Sequence, residues 1–323
     1  MQYALAPMEG VTGAVFRTAH HRLFGGVDRY FMPFITPTSD PKFTPRQLRE
    51  LAPANNAGLC AVPQLLTKSA DDFLWAARAL AEMGYSEVNL NLGCPSGTVV
   101  AKGKGAGFLA HPEALGRFLD AVFAAALLSI SVKTRLGMQD PAEFDRLLSI
   151  FNQYPIAQLI VHPRVRTDFY RGRADQAAFA AALAQSRNPV CYNGDLFTPA
   201  DCRDAAARFP SAAGLMLGRG LVADPALARK AQGGPPAGRD EMQAFHDALY
   251  AGYCAAFGNE RNAVMRMKEL WSYQIHLFQH SEKYGKQLRK AATPRDFLAQ
   301  SAAIFRDLPL CTDLPAQVFY VPK

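Results

Sequence analysis

A single cysteine, Cys94, follows the β-prone run from Glu87 to Asn91 and stands in the stretch "GCPSG". Gly93 and Pro95 fix the backbone on either side of it, so the thiol is presented rather than packed. Cys60 and Cys191 lie inside apolar runs, as packed thiols do. A presented thiol serves as a nucleophile or as a proton donor. Nucleophilic work needs a dedicated base, and the sequence leaves open whether His162 reaches the sulfur. Lys133 interrupts the apolar alternation of a buried strand, and a buried ammonium requires a partner. It faces an anionic or electron-rich ligand, or it closes a salt bridge inside the fold. Gln64 offers an amide to the polar edge of a planar ring, or caps its strand.

Two glycine-bearing stretches, "YNGD" (Asn193, Gly194, Asp195) and "LGRG" (Gly218, Arg219), combine close backbone approach with a guanidinium. Such loops hold a phosphate through backbone N–H groups, although glycine also serves in plain turns. The run "VVAKGKGAG" lacks the order of a nucleotide-binding P-loop, so a mobile lid is expected there, with Lys102 and Lys104 drawn to phosphates. His276 and His280 lie one turn apart without a third ligand, and no metal is expected. His20 and His21 are expected at the surface or an interface of the first helix.

The elements that must position these residues alternate. Short β-prone runs span Tyr3 to Ala6, Arg29 to Pro33, Cys60 to Gln64, Glu87 to Asn91, Ile130 to Arg135, Gln158 to His162, Pro189 to Asn193 and Gly214 to Gly218. Helical patterns such as "SADDFLWAARALAEMG" and "TPADCRDAAARF" separate them, several opening on Ser, Thr, Asp or Pro. Eight strands alternating with eight helices predict an α/β fold, a parallel (β/α)8 TIM barrel, with an open doubly wound sheet as the competitor. In a barrel, Pro7, Met8, Gln64, Asn91, Cys94, Lys133, Arg135, His162, Arg164, Asn193 and Gly218 all lie at strand C-termini and converge on one mouth.

The run "GGPPAG" ends this alternation, and residues 241–305 read as helical. The expected organisation is a barrel over 1–235, a small all-helical domain over 239–310 and an irregular tail over 311–323. Residues 260–290 carry Arg261, Arg266, Lys268, Lys283, Lys286, Arg289 and Lys290, interleaved with Trp271, Tyr273, Phe278 and Tyr284. That mixture suits phosphates and exposed bases, or it is an ordinary solvated helix face.

Bulk properties agree with a large α/β enzyme. The 323 residues carry 35 basic and 28 acidic side chains, a net charge of +7 that suits small anions or a polyanion such as RNA. No apolar run reaches the roughly 20 residues of a membrane helix, so no membrane is expected as a partner. The start "MQYALAPMEG" lacks the pattern of a secretory signal. The six scattered cysteines read as reduced thiols. A cytoplasmic monomer is the expectation.

Taken in order, "LAPMEGVT", "NLNLGCPSGTVVAKGKGAGFL", "SVKTRLG", "VHPRVRTDFYRG", "YNGD", "LGRG" and the later "MRMKELWSY" resemble the tRNA-dihydrouridine synthases. The resemblance implies reduction of the C5=C6 bond of uridine in tRNA, with FMN as cofactor and NADPH as reductant. It implies that Cys94 protonates uracil C5 after hydride reaches C6. It also implies that Pro7, Met8, Gln64, Lys133 and His162 surround the flavin ring, and that Asn193, Gly194, Asp195, Gly218 and Arg219 hold its phosphate. The RNA then falls to Asn91, Lys102, Arg135 and Arg164 at the mouth and to Arg266 and Lys268 in the helical domain. Ribosomal RNA as substrate, a barrel acting on a free pyrimidine, and a noncatalytic RNA-binding barrel are the alternatives.

Overall fold

The protein is described by a computed structural model covering residues 1–315 and 318–322. Of the tail expected over 311–323, residues 316, 317 and 323 therefore lie outside the described residues. The strands among the described residues are β1 (Gln2–Leu5), β2 (Arg29–Phe31), β3 (Ala61–Val62), β4 (Gln64–Leu65), β5 (Glu87–Leu92), β6 (Ser129–Gly137), β7 (Leu159–Val165), β8 (Val190–Tyr192) and β9 (Gly214–Leu217). Every pairing is parallel, in the order β3-β2-β1-β9-β8-β7-β6-β5-β4.

The two ends of that order, β3 and β4, are adjacent pieces of one segment. Pro63 has no N–H to give a ladder and divides the expected single strand, after which β3 pairs with β2 and β4 with β5. The ring thus closes as a barrel.

Helices α1 (Ala14–Leu23), α2 (Pro45–Leu51), α3 (Ala70–Glu82), α4 (Gly97–Val100), α5 (Pro112–Ala124), α6 (Glu143–Phe151), α7 (Gln176–Gln185), α8 (Pro199–Arg208), α9 (Arg219–Ala223) and α10 (Leu227–Ala231) accompany the strands. Their starts follow the capping chemistry of the sequence: Thr44, Ser69, Asp175 and Thr198 accept backbone N–H bonds at the starts of α2, α3, α7 and α8.

The barrel interior is divided by chemistry. Ala4, Ala6, Phe31, Val62, Ile160, Cys191 and Met216 form its apolar side. On the other side, inward positions of β4 to β7 carry Gln64, Asn89, Asn91, Ser131, Lys133, Arg135, His162 and Arg164, joined by hydrogen bonds described below. Polar groups that deep in a barrel are stable only when paired.

Beyond the irregular stretch 234–238 come α11 (Arg239–Phe257), α12 (Glu260–Gln274), α13 (Glu282–Lys290) and α14 (Pro294–Asp307). Phe245 of α11 meets Phe16 and Phe24 of the first barrel helix region at ring distances of 5.6 and 5.1 Å, which fixes the bundle against the barrel.

Three expectations change here. His20 is fully buried rather than superficial, because its Nε2–H donates to the Pro225 carbonyl at 2.9 Å while Nδ1 accepts from the Tyr30 hydroxyl at 2.9 Å. Cys60 is exposed, lying just outside β3. Trp271 and Phe278 do not face outward for stacking on bases: they pack with Phe305 in the bundle core, where their large apolar surfaces leave water. The glycine and lysine run after Cys94, expected as a mobile lid, carries α4 and a turn of tight helix at Gly105–Ala110.

Candidate active site

Cys94 lies half-buried just past β5. Its backbone N–H and that of Gly93 donate to Asn91 Oδ1 at 3.0 and 3.1 Å. Asn91 Nδ2 donates to Gln64 Oε1 at 2.8 Å, Gln64 Nε2 to Asn89 Oδ1 at 2.7 Å, and Asn89 Nδ2 to Ser131 Oγ at 2.8 Å. A continuous hydrogen-bonded row therefore runs from β6 through the barrel interior to the cysteine loop. Gly105 closes the loop from the far side. At φ +56°, any Cβ there would come within 3.1 Å of the Cys94 Cβ.

Arg135 is almost wholly buried and ties three loops together. Its Nε donates to the Gly93 carbonyl at 3.0 Å, Nη1 to that of Val165 at 3.0 Å and Nη2 to that of Phe169 at 2.7 Å. Burial pushes its guanidinium down to about 10. Burial also raises the Cys94 thiol above its ordinary pKa, opposed by the Ser96 N–H and the charges of Arg135 and Lys133. The sulfur accordingly carries its proton at neutral pH. His162 is not its base, since its Nε2 accepts from Arg164 Nη1 at 2.9 Å, and burial among four cations holds the ring well below its usual pKa.

Lys133 Nζ donates to Asn193 Oδ1 at 2.7 Å, and Asn193 Nδ2 donates to the Met216 carbonyl at 2.8 Å. Among the described residues no carboxylate forms an ion pair with Lys133, so the salt-bridge alternative has no partner. Burial, then the neighbouring Arg135, pushes this ammonium down to about 7. A buried amine without a carboxylate partner at a barrel mouth is a candidate anion-binding group.

The cavity beside it is lined by the apolar Ala6, Pro7, Met8 and Met216 and by Lys133, His162, Asn193, Asp195, Gly218 and Arg219. Gly220 lets the loops after β8 and β9 touch, because a Cβ there would fall 2.1 Å from the Leu196 carbonyl oxygen. Asp195 is turned toward its own protein: Oδ2 accepts from Arg164 at 2.6 Å and from the Ala174 N–H at 2.8 Å, and Oδ1 stands 3.5 Å from Arg219. Arg164 is likewise consumed internally, donating also to the carbonyls of Arg171 and Gly172. It orients His162 and Asp195 rather than opening to the mouth.

The residues present fit a phosphorylated, flat, partly apolar ligand such as FMN. The lining combines apolar side chains with two cations, Lys133 and Arg219, against one carboxylate, Asp195. Lys133 and Arg219 are the cations not fully matched within the protein.

The outer candidates divide. Lys102 is exposed on the folded run beyond Cys94. Arg266 packs against Gly10 of the β1 loop, pairs with Glu269 at 2.5 Å and lines a cleft of about 1030 Å³ between barrel and bundle that also includes Glu9, Arg46 and Tyr253. Lys268 points elsewhere, donating to the Ala291 carbonyl at the end of α13. Sequence reasoning missed Asn89 and Ser131, whose polar alternation within β-runs was the available signal, and Tyr170, whose ring faces His162 and Arg219.

The barrel is shared with morphinone reductase, whose solved structure overlays with a TM-score of 0.53 at 13% identity, over 76% of this chain and 88% of that one; this likeness concerns the fold alone. Sequence relatives are more specific. A probable tRNA-dihydrouridine synthase of Rhodobacter capsulatus is 30% identical over 83% of this chain and 85% of its own length. The tRNA-dihydrouridine(16) synthase of Ralstonia nicotianae is 33% identical over 71% and 72%. The tRNA-dihydrouridine synthase B of Pasteurella multocida is 28% identical over 70% and 67%. Residues 4–316 match the model of the dihydrouridine synthase family, a span that takes in the cysteine loop, the cationic mouth and the helical bundle, and the chain belongs to that family.

Proposed function

We propose that the protein reduces the C5=C6 bond of uridine in tRNA, with FMN held in the barrel mouth, NADPH as the source of electrons and Cys94 as the acid. The observation that carries this reading is the Cys94 loop, held by Asn91 and Arg135 at the same strand ends that carry Lys133, a buried amine bonded to Asn193.

Bound in its reduced form, FMN supplies the hydride that adds to uracil C6. The chain supplies everything around that transfer. Ala6, Pro7, Met8 and Met216 would give the ring an apolar bed, and Lys133, Asn193 and Arg219 would bind its polar and phosphate parts. Addition at C6 leaves an enolate on the uracil, which requires a proton at C5. Cys94 holds that proton on its sulfur, and its loop is fixed so that the proton is delivered in one direction. Arg135 and Lys133 then stabilise the thiolate that remains, as their lowering influence on the Cys94 pKa indicates.

A uracil in folded RNA has to leave its stack to reach this mouth. Arg266 and the cleft between barrel and bundle lie next to the β1 loop, in position to hold the backbone of the donor strand. No helix among the described residues is long and apolar enough to cross a membrane. We assign the protein to the cytoplasm, where tRNA is found, and to the monomeric state. The test is direct: unmodified tRNA incubated with protein, FMN and NADPH yields dihydrouridine on nucleoside mass spectrometry, whereas ribosomal RNA and free orotate remain unchanged. Reduction of ribosomal RNA or orotate in preference to tRNA would overturn the substrate assignment.

A further inference from the structure

The tail is placed where the sequence offered no role for it. Its residues 318–322 lie back on the barrel mouth: the Gly172 N–H donates to the Val321 carbonyl at 2.8 Å, Val321 bridges Arg171 in parallel, and Arg173 lies 5.5 Å from the Tyr320 ring. Between these contacts and the bundle sits Phe319. Its ring meets Phe197 of the β8 loop at 5.3 Å and Tyr273 and His276 of the bundle at 5.8 and 5.4 Å.

Arg219 is enclosed by the same groups. Its Cζ lies 4.6 Å from the Tyr170 ring, 5.1 Å from Phe197 and 5.9 Å from Phe319, and its Nη1 donates to the Phe319 carbonyl at 3.3 Å. Asp195 competes for this guanidinium but is kept at 3.5 Å, longer than a tight ion pair. Stacking on aromatic faces leaves the in-plane N–H groups of a guanidinium for hydrogen bonding, and here Nη1 bonds the Phe319 carbonyl while Nη2 is held only loosely by Asp195.

We propose that Phe319 is a positioning residue for Arg219: by ring and carbonyl it holds the guanidinium off Asp195 and ready for the phosphate of the cofactor. This rests on the reading of the mouth as an FMN site. The phosphate end of the site is thereby completed by a residue 100 positions away in sequence, brought in by the segment that follows the helical bundle.

The experiment compares the full-length wild type with Phe319→Ala and Phe319→Leu, titrating each with FMN and with riboflavin, which lacks the phosphate, and following flavin fluorescence. Leucine keeps apolar bulk against Phe197 and Tyr273 but removes the π face, so it separates cation stacking from packing. FMN binding is expected to weaken about tenfold in Phe319→Ala, the size of one hydrogen bond to a charged group, and by a smaller factor in Phe319→Leu. Riboflavin binding stays as in wild type. In a Phe319→Ala background, Arg219→Ala costs less than it does in wild type, as coupled residues require. Equal weakening of FMN and riboflavin, or unchanged FMN binding in both variants, overturns the proposal while leaving the FMN site standing. A wild type that does not prefer FMN to riboflavin overturns the phosphate reading, and this inference with it.

Discussion

The sulfur of Cys94 is under two opposed influences, burial raising its pKa and the charges of Arg135 and Lys133 easing the thiolate. An acid must be protonated to act, so proton delivery to tRNA, measured in single turnovers, is expected to fall only as pH rises past the ordinary thiol value of 9.0. Lys133 gives a second pH signature. With its ammonium pushed down to about 7, binding of an anionic flavin must draw a proton onto the lysine at higher pH. FMN affinity should therefore decline as pH rises through about 7 in wild type, and Lys133→Met should remove that component of the titration. At this scale the sequence was informative because the polar residues interrupt apolar strands, as Lys133 and Asn91 do. It could not show that Arg164 and Asp195 satisfy each other, since their pairing joins the ends of different strands.

Strands and helices act here by handing rigidity to loops. The row Ser131, Asn89, Gln64, Asn91 spans β6, β5 and β4 and ends on the cysteine loop, so removing its first member acts on its last. Ser131→Ala leaves Asn89 Nδ2 unpaired in a dry interior and is expected to cost about 1–3 kcal/mol in urea unfolding, together with a slower proton transfer and unchanged FMN content. Helix α1 carries another buried polar link, His20, whose ring is pushed down to about 4 by burial. Between its unfolded value of 6.5 and about 4 the unfolded chain binds a proton that the folded chain refuses. Stability is thus lost as pH falls through that window, by about 3 kcal/mol from this residue, with His162 and His246 acting in the same direction. Thermal melts of His20→Gln should show a flatter decline over the same range. The alternation of strands and helices was legible because capping residues and β-prone runs are local signals. The division at Pro63 was visible as a proline, but its use in closing the ring depends on which strands flank it. His20 was misplaced because its partners, Tyr30 and Pro225, come from distant parts of the chain.

As a whole, the molecule sets a cationic barrel mouth against a helical bundle, with a cleft between them. Arg266 faces that cleft and Lys268 caps α13, so two basic residues close in sequence are expected to behave differently. Arg266→Ala should weaken tRNA binding and lower the salt slope by about one unit, whereas Lys268→Ala should chiefly lower the stability of the bundle. The charge pattern of residues 260–290 did not distinguish them, since the distinction arises from the side of the helix each occupies. Nor could composition reveal that the tail returns to the mouth, because Phe319 meets Phe197, Tyr273 and His276 only after the bundle has docked. The central claim, that a protonated cysteine beside a flavin completes the reduction of a uridine, is tested most directly by Cys94→Ala. With FMN and NADPH supplied, this variant is expected to bind and reduce its flavin as wild type does, while dihydrouridine formation in tRNA under single-turnover conditions slows by about 10²–10⁴-fold. Dihydrouridine appearing at the wild-type rate in that variant would contradict the account.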